Sequence, residues 1–121
     1  MKNAILKDHF LRPRGMGAAP DATHRAVAKS EVCNDIVRMT ARIEDGILAE
    51  VRTEVYGCGY AIAGASLFNE RARGMSADEA ARLDPAGIAG GEGAIPGHHE
   101  HCVGLAHRAY LKIHADYREG K

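Results

Sequence analysis

The spacing of apolar residues along this chain switches between two periods, and the switches lay out its elements. Asn3 to Leu11 places Ile5, Leu6, His9 and Phe10 on one side, the spacing of a short helix that Pro13, Gly15 and Gly17 end. Gly15 to Thr23 reads as a loop. Over Val32 to Ile43 the period falls to nearly two, with Ile36, Val37, Met39, Ala41 and Ile43 among polar residues. Glu44-Asp45-Gly46 then gives a hairpin turn. Ile47 to Tyr56 is the return strand, with Ile47, Ala49, Val51, Thr53 and Val55 on one face. Arg25 to Lys29 is a weaker strand beside them. The result is an antiparallel meander with one wet face.

Helical spacing resumes after Gly57-Cys58-Gly59. Tyr60 to Arg73 carries Ile62, Ala65, Ser66, Phe68, Asn69 and Ala72 at that period, and Gly74 closes it. Ser76-Ala77-Asp78-Glu79 is a capping box opening a helix to about Leu83. Gly87 to Gly97 is glycine-rich and reads as loose chain. His101 to Tyr117 is the last helix, with Leu105, Ala109 and Ile113 on one stripe. Strands first and helices afterwards predict an α+β fold, a small three-stranded antiparallel sheet with helices packed on one face.

Length and composition narrow the function. The 121 residues suit one domain, 1–121, large enough to bury a core without disulfides. With no Trp and 5% aromatics, that core must be built mainly from Ile, Leu, Val and Ala. The 16 basic residues balance 16 acidic ones, which argues against a nucleic-acid or membrane-surface binder. No apolar run approaches the ~20 residues of a membrane span. Met1 to Phe10 lacks an apolar signal region, so a cytoplasmic protein is expected. The 3 cysteines should then be thiols rather than a disulfide framework: buried small hydrophobes, nucleophiles or metal ligands.

Their places favour the last of these. Cys33 stands at the mouth of the first hairpin strand, Cys58 between two glycines where sheet becomes helix, and Cys102 at the start of the last helix. No pair is spaced as C-x-x-C. Antiparallel strands joined at Glu44–Gly46 nonetheless bring Cys33 and Cys58 to the same end of the sheet. Helix N-termini at Cys58 and Cys102 favour thiolate. Alternation puts Asp35 on the face of Cys33, and His101 directly precedes Cys102. Thiolates with a carboxylate or imidazole suit zinc or an iron–sulfur cluster. The competing readings are independent core cysteines, a solvated edge aspartate, and a surface histidine in the polar run with His98, His99 and Glu100. His9, His24, His107 and His114 read as structural or surface residues, and Tyr60 as a packing residue.

Several stretches together resemble a known family over nearly the whole chain. They are Asp8-His9-Phe10 with Pro13-Arg14 and Gly17, Cys33-Asn34-Asp35, Tyr56-Gly57-Cys58-Gly59-Tyr60-Ala61-Ile62-Ala63, Gly74 with Asp78-Glu79-Ala80, and His101-Cys102 with Leu105-Ala106. The chain resembles the IscU-type iron–sulfur cluster scaffolds, equivalent to the NifU N-terminal domain. The resemblance implies that Cys33, Cys58 and Cys102 accept sulfur from a cysteine desulfurase and hold a [2Fe–2S] cluster for transfer to apo iron–sulfur proteins. It makes Asp35 and His101 the candidate fourth ligands, and zinc an alternative occupant. The expected protein is a non-enzymatic scaffold, monomeric or transiently dimeric. A zinc-bound sulfurtransferase, accepting persulfide sulfur in a SUF-type system, is the rival of a different class, and a zinc-stabilised structural domain a third.

The chain departs from the family in places. Asn34 replaces a glycine, and Asn is the next most tolerant residue at positive φ. Ile95-Pro96-Gly97-His98-His99 stands where such scaffolds carry the chaperone-binding L-P-P-V-K, with His99 at the lysine position. Weak stimulation of a dedicated chaperone pair is therefore expected.

Overall fold

The structure is a computed structural model that describes residues 1–90 and 95–121. Helix α1 (Ala4–Leu11) is followed by strands β1 (His24–Lys29), β2 (Ile36–Glu44) and β3 (Ile47–Tyr56). Helices α2 (Gly59–Ala72), α3 (Ala77–Ala80), α4 (Pro85–Gly90), α5 (Glu100–Val103) and α6 (Leu105–Arg118) come after them, with a 3-10 turn at Gly97–His99 before α5. The strands form one antiparallel sheet in the order β1-β2-β3.

Both hairpin strands bury their alternating face. Val37, Met39, Ala41 and Ile43 of β2 point inward, where Ala65, Phe68 and Ala72 of α2 and Leu105, Ala109 and Ile113 of α6 join them in one cluster. The inward face of β3 differs from the simple alternation. Ile43 pairs with Leu48 and Arg42 with Glu50, so the register shifts between them and Ala49 is left over. This bulge turns Leu48 inward, fully buried, and leaves Ile47 at 40% exposure. Downstream, Val51 and Thr53 are buried, as alternation predicts.

Two other expectations change. Pro85–Gly90 is helical, although its glycines suggest loose chain, because Pro at a first helical position costs no hydrogen bond and pre-sets φ. Of the rest of that segment, 91–94 lie outside the described residues, and Gly97 opens the 3-10 turn. The last helix is also interrupted. Gly104, at φ −83° and ψ 0°, separates α5 from α6, so α5 packs against α2 while α6 lies on β1 and β2. No helix among the described residues is long and apolar enough to cross a membrane.

Helix α1 begins at Asn3, whose side chain accepts from the Leu6 amide at 3.1 Å and donates to the Ala89 carbonyl at 2.7 Å. His9, on the buried side of α1, shares a 2.7 Å hydrogen bond with Ser66 Oγ of α2. Burial lowers the His9 pKa from its ordinary value, and the Arg14 charge lowers it further. The unfolded chain therefore binds a proton at this residue more readily than the folded one. The His9 contribution to stability is complete above about pH 6.5 and is lost as pH falls through the depressed folded value. Urea unfolding at pH 5 and pH 7 should show lower stability at pH 5, and His9→Gln should shrink that difference. An unchanged difference would place the acid sensitivity elsewhere.

Candidate metal and sulfur site

The pairing Lys29↔Ile36 and Ile36↔Tyr56 brings the end of β1, the start of β2 and the end of β3 to one edge of the sheet. The segments that leave this edge carry Cys33, Asp35 and Cys58. Cys33 lies in a closed loop, not in a strand. Ser30 Oγ accepts from the Val32 and Cys33 amides, each at 3.3 Å. The Ser30 amide donates to the Asp35 carbonyl at 2.8 Å, and the Asn34 amide donates to the Ser30 carbonyl at 3.1 Å. Asn34 takes φ 58°, the left-handed conformation that glycine or asparagine accepts most readily. The strand expected from Val32 therefore starts at Ile36, because the left-handed residue and the serine hydroxyl hold the preceding chain in a turn. It is this turn, rather than strand alternation, that brings Cys33 and Asp35 together.

Asp35 is not a solvated edge residue. It is 2% exposed, and its carboxylate faces the start of α2. One oxygen accepts from the Cys58 amide at 3.0 Å and the other from Cys58 Sγ at 3.3 Å. Gly57 makes this approach possible, since a Cβ there would stand 2.2 Å from Asp35 Oδ1. Cys58 is the N-cap of α2, as the sequence predicts, and its carbonyl accepts from the Ala61 and Ile62 amides.

Cys102 comes from a separate element, helix α5. It is fully buried in α5, and its Sγ donates to Cys33 Sγ at 3.1 Å. Glycine again sets the approach: a Cβ on Gly64 of α2 would stand 2.2 Å from the Val103 carbonyl oxygen. The thiolate-favouring influence expected of a helix start does not dominate at Cys102. Burial pushes its thiol up, and hydrogen bonds with Cys33, Asp35 and Cys58 add to this. A bound cation is the partner that reverses such a shift, since coordination removes the proton from a thiol.

The sulfurs, the carboxylate and one imidazole converge as two overlapping sets, Cys33, Asp35 and Cys102, and Cys58, His99 and Cys102. In each set the ligand atoms lie within 4.8 Å of one another. That span suits a cation with bonds of about 2.0–2.3 Å after small side-chain rotations. The donor types, soft sulfur with borderline nitrogen and oxygen, fit zinc and iron. His101, expected beside the site, is not part of either set. Adjacent residues on a helix point about 100° apart, so with Cys102 turned inward, His101 is exposed. His99 lies three residues before Cys102, on the same helical face. That spacing is the signal in the sequence that points to His99.

A family model describing the NifU-like N terminal domain matches residues 2–121. The chain belongs to this family.

Named relatives agree with that membership. The iron-sulfur cluster assembly scaffold protein IscU of Escherichia coli (strain K12) is 33% identical over 115 residues, covering 92% of this chain and 89% of its own. The iron-sulfur cluster assembly scaffold protein IscU 1 of Archaeoglobus fulgidus is 30% identical over 110 residues, 91% of this chain and 72% of its own. The same fold is found in a crystal structure of a putative iron-sulfur cluster assembly scaffold protein for the SUF system from Fervidobacterium islandicum. It superposes with a TM-score of 0.74 at 15% identity and covers 92% of this chain and 94% of that one.

Proposed function

We propose that this protein is a scaffold on which an iron–sulfur cluster of the [2Fe–2S] type is assembled and from which it is passed on. The cluster is cargo rather than a resident cofactor. The observation that carries the reading is the convergence of Cys33, Cys58 and Cys102 with the buried Asp35 at one sheet edge, in a chain of this family. Sulfur would come from a cysteine desulfurase, and the recipients would be apo iron–sulfur proteins. Zinc suits the same donors and would occupy them in air.

The division of labour follows from the donors. Thiolates match the soft iron–sulfide core and hold it. A carboxylate is harder and exchanges more easily, so Asp35 leaves an opening for an acceptor's cysteine. Before cargo arrives, Asp35 accepts hydrogen bonds from both the amide and the thiol of Cys58, which fixes the Cys58 side chain within the cluster of ligands.

Anaerobic incubation with a cysteine desulfurase, cysteine and ferrous iron tests the reading. The expected result is a stable iron–sulfur chromophore. Persulfide on a cysteine with no chromophore would favour the sulfurtransferase and overturn the scaffold. In the same assay, Asp35→Ala should still assemble a cluster, transfer it to an apo-ferredoxin more slowly, and keep it longer in air. Transfer as fast as wild type, followed by circular dichroism, would remove Asp35 from the exchange step.

A further inference from the structure

The carboxylate and the sulfurs leave one ligating group at this centre without a role. His99 belongs to the set with Cys58 and Cys102, whereas Asp35 belongs to the set with Cys33 and Cys102. We propose that His99, oriented by Tyr60, is the nitrogen ligand of this centre and binds on the Cys58 side of Cys102. The proposal deepens the scaffold reading and rests on it, since it assigns one more donor to the same site.

Three observations support it. His99 reaches the site from the 3-10 turn before α5, three residues from Cys102, so both face the centre from one helical surface. The Tyr60 ring, two residues beyond Cys58, stacks on the His99 ring with centroids 4.2 Å apart and 18° between planes. Tyr60 is itself packed against the cluster that contains Val103 and Ile95. The imidazole plane is thereby fixed before any ion arrives, which lowers the ordering cost of binding. Among the described side chains, the other histidine in the run before Cys102 is engaged differently: His101 is exposed, and its carbonyl accepts from Arg108 at 2.8 Å. Neutral imidazole is a good donor to zinc and iron alike.

With His99 included, the centre presents three sulfurs, one carboxylate and one imidazole. A four-coordinate ion uses four of these five donors. The nitrogen and the carboxylate share only Cys102 between their sets, so one can release while the other holds.

X-ray absorption of the zinc-loaded protein tests the assignment, with zinc alone as the probe. The wild-type spectrum should show a sulfur-dominated first shell and the outer-shell scattering of an imidazole ring. His99→Ala should lose the imidazole signal, keep the sulfurs, and bind zinc about 10- to 100-fold more weakly. His101→Ala should keep the imidazole signal. Tyr60→Ala should weaken zinc binding, and Tyr60→Phe, which retains the stack, should restore it. An imidazole signal that survives in His99→Ala, or one lost in His101→Ala, would overturn the proposal. A wild-type first shell of three sulfurs with no imidazole would overturn it and leave the scaffold reading standing. A first shell without sulfur would overturn both. If His99→Ala folds poorly, His99→Asn, which keeps a polar side chain but no imidazole ring, takes its place in the same comparison.

Discussion

Replacing Cys33, Cys58 or Cys102 singly with serine is expected to cut the yield of reconstituted cluster by about ten-fold or more. A serine hydroxyl is isosteric enough to keep the fold, but it is a hard donor and a poor match for an iron–sulfide core. The three substitutions should not be equal. Cys102 belongs to both sets of ligands, whereas Cys33 and Cys58 each belong to one. Its loss removes a donor from both sides of the centre, so Cys102→Ser should give the lowest yield. Cys58→Ser also replaces the thiol that donates to Asp35, but a hydroxyl can still donate there, and the Cys58 amide bond is untouched. Chromophore absorbance per chain after anaerobic reconstitution is the measurement, with thermal unfolding as the control for folding. If all three single variants assemble normally, these cysteines do not hold the cargo.

Gly64→Ala should be the most damaging change outside the ligands. The added Cβ would stand 2.2 Å from the Val103 oxygen, 2.7 Å from its Cα and 2.8 Å from its carbonyl carbon. These are backbone atoms of α5 and cannot rotate away. Either α2 and α5 separate or the strain remains, at about 3 kcal/mol or more. For a domain of this size that corresponds to a fall in Tm of about 10 °C. Separation would also carry Cys102, next to Val103, away from Cys33. Zinc affinity should therefore fall along with Tm, although Gly64 supplies no ligand. Gly90→Ala is the matched control, since among the described residues a Cβ there meets nothing within 4 Å. Equal Tm values for Gly64→Ala and wild type would show that the helices adjust freely and that their close approach does not place Cys102.

Features set by neighbours in the chain are legible in the amino-acid sequence. The Asp45-Gly46 turn has both residues at positive φ, as the dipeptide predicts. Ser76 accepts from the Glu79 amide at 3.1 Å and donates to its carboxylate at 3.0 Å, the capping box read from those residue types. Asn34 adopts the left-handed conformation for which it is suited in place of glycine. Each rests on interactions spanning a few residues, so local chemistry is enough to specify it. The bulge at Ala49 and the helix break at Gly104 are not legible in this way, because an alternating strand and a continuous amphipathic helix satisfy the same residues locally. Packing of Leu48 under the sheet, and of α5 against α2, decides between the alternatives.

The α+β class, the meander, the placing of Cys33 and Cys58 at one end of the sheet and the family to which the chain belongs are all written in short-range patterns and residue identity. Which histidine stands among the candidate ligands, and whether Asp35 is a surface charge, depend instead on how the elements pack. Packing buries Asp35 against Cys58 and turns His99, rather than His101, toward Cys102. Donors widely separated in the chain meet only when the sheet edge, α2 and α5 come together. Gly64 lets α5 close on α2, and Gly57 lets the Asp35 carboxylate reach Cys58.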